Sequence, residues 1–88
     1  MITYHPLVTA SDIPKLDKVV QKRVRLAIEF KLKINPLLYG SPLHRSLKLL
    51  WKLRVGDWRV IYTIEPNGVY ILAIGHRNDI YKKVLGRL

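Results

Sequence analysis

The stretch LLWKLRVGDWRVIY, from Leu49 to Tyr62, decides how the rest of the chain is read. Apolar Trp51, Leu53 and Val55 alternate with Lys52 and Arg54 before Gly56-Asp57 interrupts the run. Beyond the break, Trp58, Val60, Tyr62 and Ile64 alternate with Arg59, Ile61 and Thr63. A repeat of two belongs to a strand, because successive side chains face opposite sides of a sheet. Two such runs joined by a tight glycine-containing turn make a hairpin. Its one face is apolar, and Lys52, Arg54 and Arg59 project from the other. The expected product is a rigid platform carrying cations.

The flanking segments extend this platform. Glu65-Pro66-Asn67-Gly68 is a turn signal, since Asn-Gly readily supplies positive φ. Val69 to Gly75 (VYILAIG) is the most apolar strand and is expected inside the sheet, completing an antiparallel meander. The chain finishes with His76-Arg77-Asn78-Asp79-Ile80-Tyr81 and a short basic tail, KKVLGRL, that reads as helix. Ahead of the hairpin, Leu37 to Leu47 is a connector broken by Gly40 and Pro42. Its His44 and Arg45 have no partner at a diagnostic spacing.

Thr9 to Leu32 reads as helix, with Leu16, Val19, Val20, Val24, Ala27, Ile28 and Leu32 at helical spacing. Thr9 or Ser11 is the expected N-cap, with Pro14 in the first turn and a break near Leu16-Asp17. Asn35-Pro36 ends the helix, because the residue before proline disfavours the α region. Ile2 to Val8 is a short strand, and Pro6, with no N–H to give a ladder, makes it an edge strand or one that breaks midway. The order is β-α-β-β-β-α: a single α+β domain over residues 1–88, with the N-terminal helices on one face of the meander.

Composition narrows the partners. Sixteen Lys and Arg against six Asp and Glu give the 88-residue chain a formal charge of +10. So strong a positive field attracts polyanions: nucleic acid, anionic lipid or an acidic protein. No apolar run approaches the roughly 20 residues of a membrane span, and MITYHPLV lacks the charged-then-apolar pattern of a secretory signal. A cytoplasmic protein without membrane association is expected. The absence of cysteine excludes disulfides and thiolate metal sites.

Several chemistries fail on the residues. There is no G-x-x-x-x-G-K-[ST] or G-x-G-x-x-G loop. His5, His44 and His76 form no metal-ligand spacing, Ser11, Ser41 and Ser46 sit in no nucleophile elbow, and no metal or other cofactor is expected. No His/Glu pair of the metal-independent ribonuclease kind is evident, since Glu65 lies at the far end of its strand from His76. Cations remain: Lys52, Arg54, Arg59, and Arg77 at the end of the last strand, with Tyr81 four residues on. Arg forks suit phosphate oxygens, and a tyrosine ring suits an unpaired base. Such a set either binds a polyanion without chemistry or stabilises the charge that builds on a phosphodiester attacked by its own 2′-OH. In the second case a lysine flanked by arginines is the proton acceptor, whereas arginine is a poor acid.

The sequence LWKLRVGDWRVIYTIE, followed after the Asn-Gly turn by VYILAIGHRNDIYKKV, resembles the RelE/ParE superfamily of type II toxin–antitoxin toxins. The motifs L-R-x-G-D-[YW]-R-x-x-Y and G-H-R-x-D-x-Y carry the resemblance, which covers nearly the whole chain. It implies a compact sheet with two N-terminal helices on one face and a basic concave face opposite. For the RelE branch it implies a ribosome-dependent, metal-independent endoribonuclease that cleaves mRNA in the A site. By motif position, the resemblance makes Lys52 the general base and Arg54 and Arg59 the phosphate-holding, charge-stabilising pair. Arg77 becomes the leaving-group acid and Tyr81 the residue that orients and stacks on substrate. Leu50 stands where some members have a further basic residue. The implied partners are a cognate acidic antitoxin, the ribosome and mRNA, with operator DNA reached only through the antitoxin. The ParE branch shares the fold and inhibits DNA gyrase without a nuclease site; an inactive member that only binds antitoxin is the third reading.

Overall fold

The computed structural model describes residues 1–43 and 49–88. His44 and Arg45 lie outside the described residues. The strands are β1 (Ile2–Tyr4), β2 (Ser41–Pro42), β3 (Trp51–Val55), β4 (Trp58–Glu65) and β5 (Gly68–His76). They form one sheet in the order β1-β5-β4-β3-β2. The antiparallel meander is β3-β4-β5, as the alternation implies. Two short strands widen it: β1 joins β5 in parallel at one edge, and β2 pairs antiparallel with β3 at the other.

The predicted long helix is two pieces. A π-helical turn, Val8–Asp12, is followed by a break and then by α1 (Lys18–Ala27), which continues as a π-helical segment, Ile28–Leu32. The break falls near Leu16-Asp17 as expected, but neither Thr9 nor Ser11 is the cap. Thr9 Oγ1 donates to the Pro6 carbonyl at 3.1 Å, while Asp17 accepts from the Val20 N–H at 2.9 Å. Pro14 sits in the break itself, where no helical N–H is lost. Gln21 spans the break by donating to the Ile13 and Leu16 carbonyls. Asn35 caps the short α2 (Pro36–Tyr39) through the Leu38 N–H.

The helical layer covers one face of the sheet. Val20, Val24, Ile28 and Leu32 pack with Val8 and Leu16 on Leu53, Val55, Val60, Tyr62, Val69, Ile71 and Ile74. Val19, expected in that stripe, points outward instead and is exposed. Burying each such aliphatic side chain stabilises the fold by about 1.5–3 kcal/mol. Tyr62 crosses the layer completely: its hydroxyl donates to the Pro36 carbonyl at 2.7 Å, and a Cβ on Gly40 would lie 1.7 Å from that oxygen.

A second, smaller core lies on the other face. Helix α3 (Ile80–Leu85) lays Ile80 and Val84 against Leu50, Ile61, Leu72 and Ala73. Leu50 is therefore interior and contributes an apolar side chain to this core. The face opposite the N-terminal helices is thus part apolar floor under α3 and part cationic.

Side chains complete the sheet where β1 stops. Beyond the Tyr4–Ile71 pair, no strand among the described residues flanks β5 on that side. The Ile74 N–H donates to Asp12 at 2.9 Å, the Leu72 carbonyl accepts from Arg87 at 3.1 Å, and the Ile74 carbonyl accepts from Lys83 at 3.1 Å. Asp12 is 1% exposed and takes a bidentate pair from Arg87 at 2.6 and 2.7 Å, with Lys83 Nζ at 3.2 Å. Burial alone would raise its carboxyl; the bonds from Arg87, the Ile74 N–H and Lys83 outweigh that and hold it below its ordinary value. This network bolts the N-terminal turn to the C-terminal helix.

Candidate nucleic-acid interface

Leu53 and Val55 commit β3 to the large core, so Lys52 and Arg54 emerge on the opposite face. The two-residue turn at Gly56-Asp57, with Gly56 at φ 61°, fixes the register that places Arg54 directly across from Arg59 and Lys52 across from Ile61. Like charges directly opposed across a ladder are unfavourable. The structure reduces the conflict by treating the two arginines differently. Arg54 is exposed. Arg59, expected to project as Arg54 does, is only 8% exposed, and its Nη1 donates to the carbonyls of Gly56 at 2.8 Å and Trp58 at 2.9 Å. Its β5 neighbour is Gly75, which has no side chain to crowd it. Ile80 and Lys83 of α3 close over that glycine, so the cationic area borders α3 directly.

Arg77 follows β5 and is brought back to the same turn. Its backbone N–H donates to the Asp57 carbonyl at 2.8 Å, and its Nε lies 4.0 Å from Asp57 Oδ1. Both side chains of that pair are more than half exposed, so it orients Arg77 without adding much stability. His76 is engaged structurally: its ring meets Trp58 edge-on, with centroids 5.4 Å apart, and its Nδ1 accepts from the Asn78 N–H. Tyr81 lies in the first turn of α3, exposed, on the helix that packs on the cationic face. Among the described residues, no hydrogen bond or aromatic pairing joins it to the four cations.

The hairpin and the residues after β5 therefore converge on one end of the sheet. Two participants escaped the sequence reading. Asp12 carries no local signal, because its partners lie 62 and 75 residues away. Arg23, an exposed residue of α1, reaches the Gly56 turn: a Cβ there would lie 2.9 Å from its Nη2. Among the described residues there is no group of three or more His, Asp or Glu side chains able to hold a metal. None of the described helices is long and apolar enough to cross a membrane.

The comparisons with known proteins agree on lineage. The family described as the ParE toxin of type II toxin–antitoxin system, parDE, matches residues 5–81. A curated relative, Toxin RelE of Mycobacterium tuberculosis (strain ATCC 25618 / H37Rv), is 33% identical over 84 residues, covering 90% of this chain and 87% of its own. Toxin RelG of the same organism is 36% identical over 73 residues, covering 77% and 84%. Among solved structures, the toxin–antitoxin complex RelBE2 of Mycobacterium tuberculosis contains a chain that superposes with a TM-score of 0.77 at 28% identity. That match covers 88% of this chain and 96% of the other. With the fold, the motifs and the relatives in accord, the chain belongs to the RelE/ParE superfamily of type II toxin–antitoxin toxins.

Proposed function

We propose that this toxin is a ribosome-dependent endoribonuclease that cleaves mRNA in the A site. The observation that carries the reading is the Arg54–Arg59 register, with Lys52 two residues along the same strand face and Arg77 tied to the adjoining turn. The RelE and RelG names of the relatives support it. The chemistry follows from the residue types. Lys52 accepts the 2′-OH proton, and the 2′ oxygen bonds to phosphorus as the P–O5′ bond breaks, leaving a 2′,3′-cyclic phosphate and a 5′-OH. Arg54 meets the nonbridging oxygens from an exposed position. Arg59, pinned by two carbonyls, offers its remaining N–H groups as fixed dipoles that need no reorganisation. Arg77 stabilises charge on the departing 5′ oxygen, which takes its proton from Arg77 or from water, and Tyr81 stacks on a base.

The ribosome is assigned the task of presenting mRNA to this open surface in cytoplasmic translation. The partner is a small acidic antitoxin; the structural relative described above is a toxin–antitoxin complex. Primer extension on a translated message, before and after induction of the chain, tests the proposal. New 5′ ends inside the reading frame are expected, and growth arrest without them contradicts it. The ParE description of the matched family favours one second reading, inhibition of DNA gyrase without RNA cleavage. That reading requires accumulation of gyrase–DNA cleavage complexes and an SOS response on induction.

A further inference from the structure

The β3–β4 turn collects guanidiniums from both layers of the molecule. From the sheet face, Arg59 grips the Gly56 carbonyl at 2.8 Å, and Arg54 stands across the ladder from it. From the end of β5, Arg77 bonds the Asp57 backbone. From the helical layer, Arg23 lays its guanidinium against Gly56, with Nη2 2.9 Å and Nη1 3.2 Å from where a Cβ would be. Glycine at this position thus does two things. It adopts φ 61°, and it leaves the space through which an α1 side chain reaches the sheet's end. Among the described residues, the one ion pair made by these four arginines is the exposed Arg77–Asp57 contact. Cationic charge therefore exceeds anionic charge at a single turn.

We infer that Arg23 forms a second phosphate subsite, one that carries a bound RNA backbone around the turn from the cationic sheet face toward α1. The inference rests on the nuclease reading for its ligand but not for its geometry. Arginine forks grip successive phosphate oxygens, and a convex tip with several of them tracks a flexible single strand. An acidic protein segment is the competing ligand, and Val19 and Leu26 are exposed on the helix near Arg23. At the turn itself, however, no large apolar side chain between Arg54 and Arg59 is exposed; Trp58 is half-buried against His76. A protein segment gains little there, and a sugar–phosphate backbone loses nothing.

The test is fluorescence anisotropy of a labelled twelve-nucleotide 2′-O-methyl RNA, which resists 2′-OH attack, titrated with the purified chain at several salt concentrations. Arg23→Gln is expected to weaken binding about fivefold at 0.1 M salt and to flatten the salt slope by about 0.7, the contribution of one phosphate on a single strand. Arg23→Lys should restore the slope. Lys31→Gln removes the same charge two helical turns away and should change affinity less than twofold. An Arg23→Gln effect no larger than that of Lys31→Gln overturns the proposal. So does a larger loss of poly-L-glutamate binding than of RNA binding, which would make the turn a protein-docking surface. Because the probe cannot be cut, a wild-type chain that produces no new mRNA ends in cells refutes the nuclease reading while leaving the Arg23 result to stand or fall alone.

Discussion

Arg59 and Tyr62 sit three residues apart on β4, on opposite faces, and each fixes a different boundary of the site. Arg59 holds the carbonyls of Gly56 and Trp58, so the turn and the guanidinium position one another. Replacing it by lysine keeps the charge but not the planar fork. Arg59→Lys is expected to cost about 1–2 kcal/mol in denaturant unfolding, from the carbonyl bonds lost. It should also lower cleavage more than it lowers RNA binding. Tyr62 anchors α2, and Gly40 exists to let it pass. Gly40→Ala should therefore destabilise by about 3 kcal/mol, with Tyr62→Phe recovering part of the loss in the double variant, because the sharpest clash is with the hydroxyl while the ring Cζ behind it, 2.8 Å from the added Cβ, remains. Burial pushes the Tyr62 phenol up to about 12. Its folded pKa lies above its ordinary value of 10.0, so the folded state holds the proton more tightly. Its stabilising contribution is complete below pH 10.0 and declines as pH rises toward about 12, a loss that Tyr62→Phe should remove from an alkaline melting series.

At the scale of elements, α3 decides how much of the cationic face is open, and Asp12 decides where α3 sits. Removing the carboxylate leaves Arg87, whose side chain is 7% exposed, without its counter-charge. Asp12→Asn is expected to cost about 3–5 kcal/mol and to speed amide exchange at Ile74 before the strands open. Because the Asp12 pKa is lowered, its contribution is present above the ordinary value of 3.8 and is lost as pH falls through the lowered one. The hairpin was legible in the sequence because a strand writes its faces at every second residue and a two-residue turn fixes register. The Arg54–Arg59 opposition follows from those two rules alone. The side-chain capping of β5, the parallel docking of β1 and the core under α3 were not legible. Each depends on residues far apart meeting with complementary shape and charge, and a single aspartate in a helical stretch looks the same whether it caps, solvates or bolts two ends together. Arg59 was placed correctly on its face, but its burial depends on Gly75 lying beside it, which only the β4–β5 register reveals.

For the whole molecule, a charge of +10 spread over 88 residues implies long-range attraction to polyanions, a class that includes the proposed RNA and acidic antitoxin partners. Association with antitoxin should be fast at low salt and slow markedly between 0.05 and 0.5 M, about 14 and 4 Å of screening length by interpolation, with dissociation changing less; stopped-flow fluorescence measures both. The cationic site itself is expected to be separable from the fold. Arg77 is exposed and weakly paired, so Arg77→Ala should leave melting and antitoxin binding unchanged while abolishing toxicity. The most direct measurement is single-turnover cleavage of a defined mRNA on purified ribosomes with an empty A site, comparing wild type with Arg54→Ala and Arg77→Ala. The expected result is a single cut in the A-site codon by wild type, slowed at least 100-fold in both folded variants. Intact mRNA with wild type, or equal cutting by all three proteins, contradicts the assignment of this face to RNA cleavage.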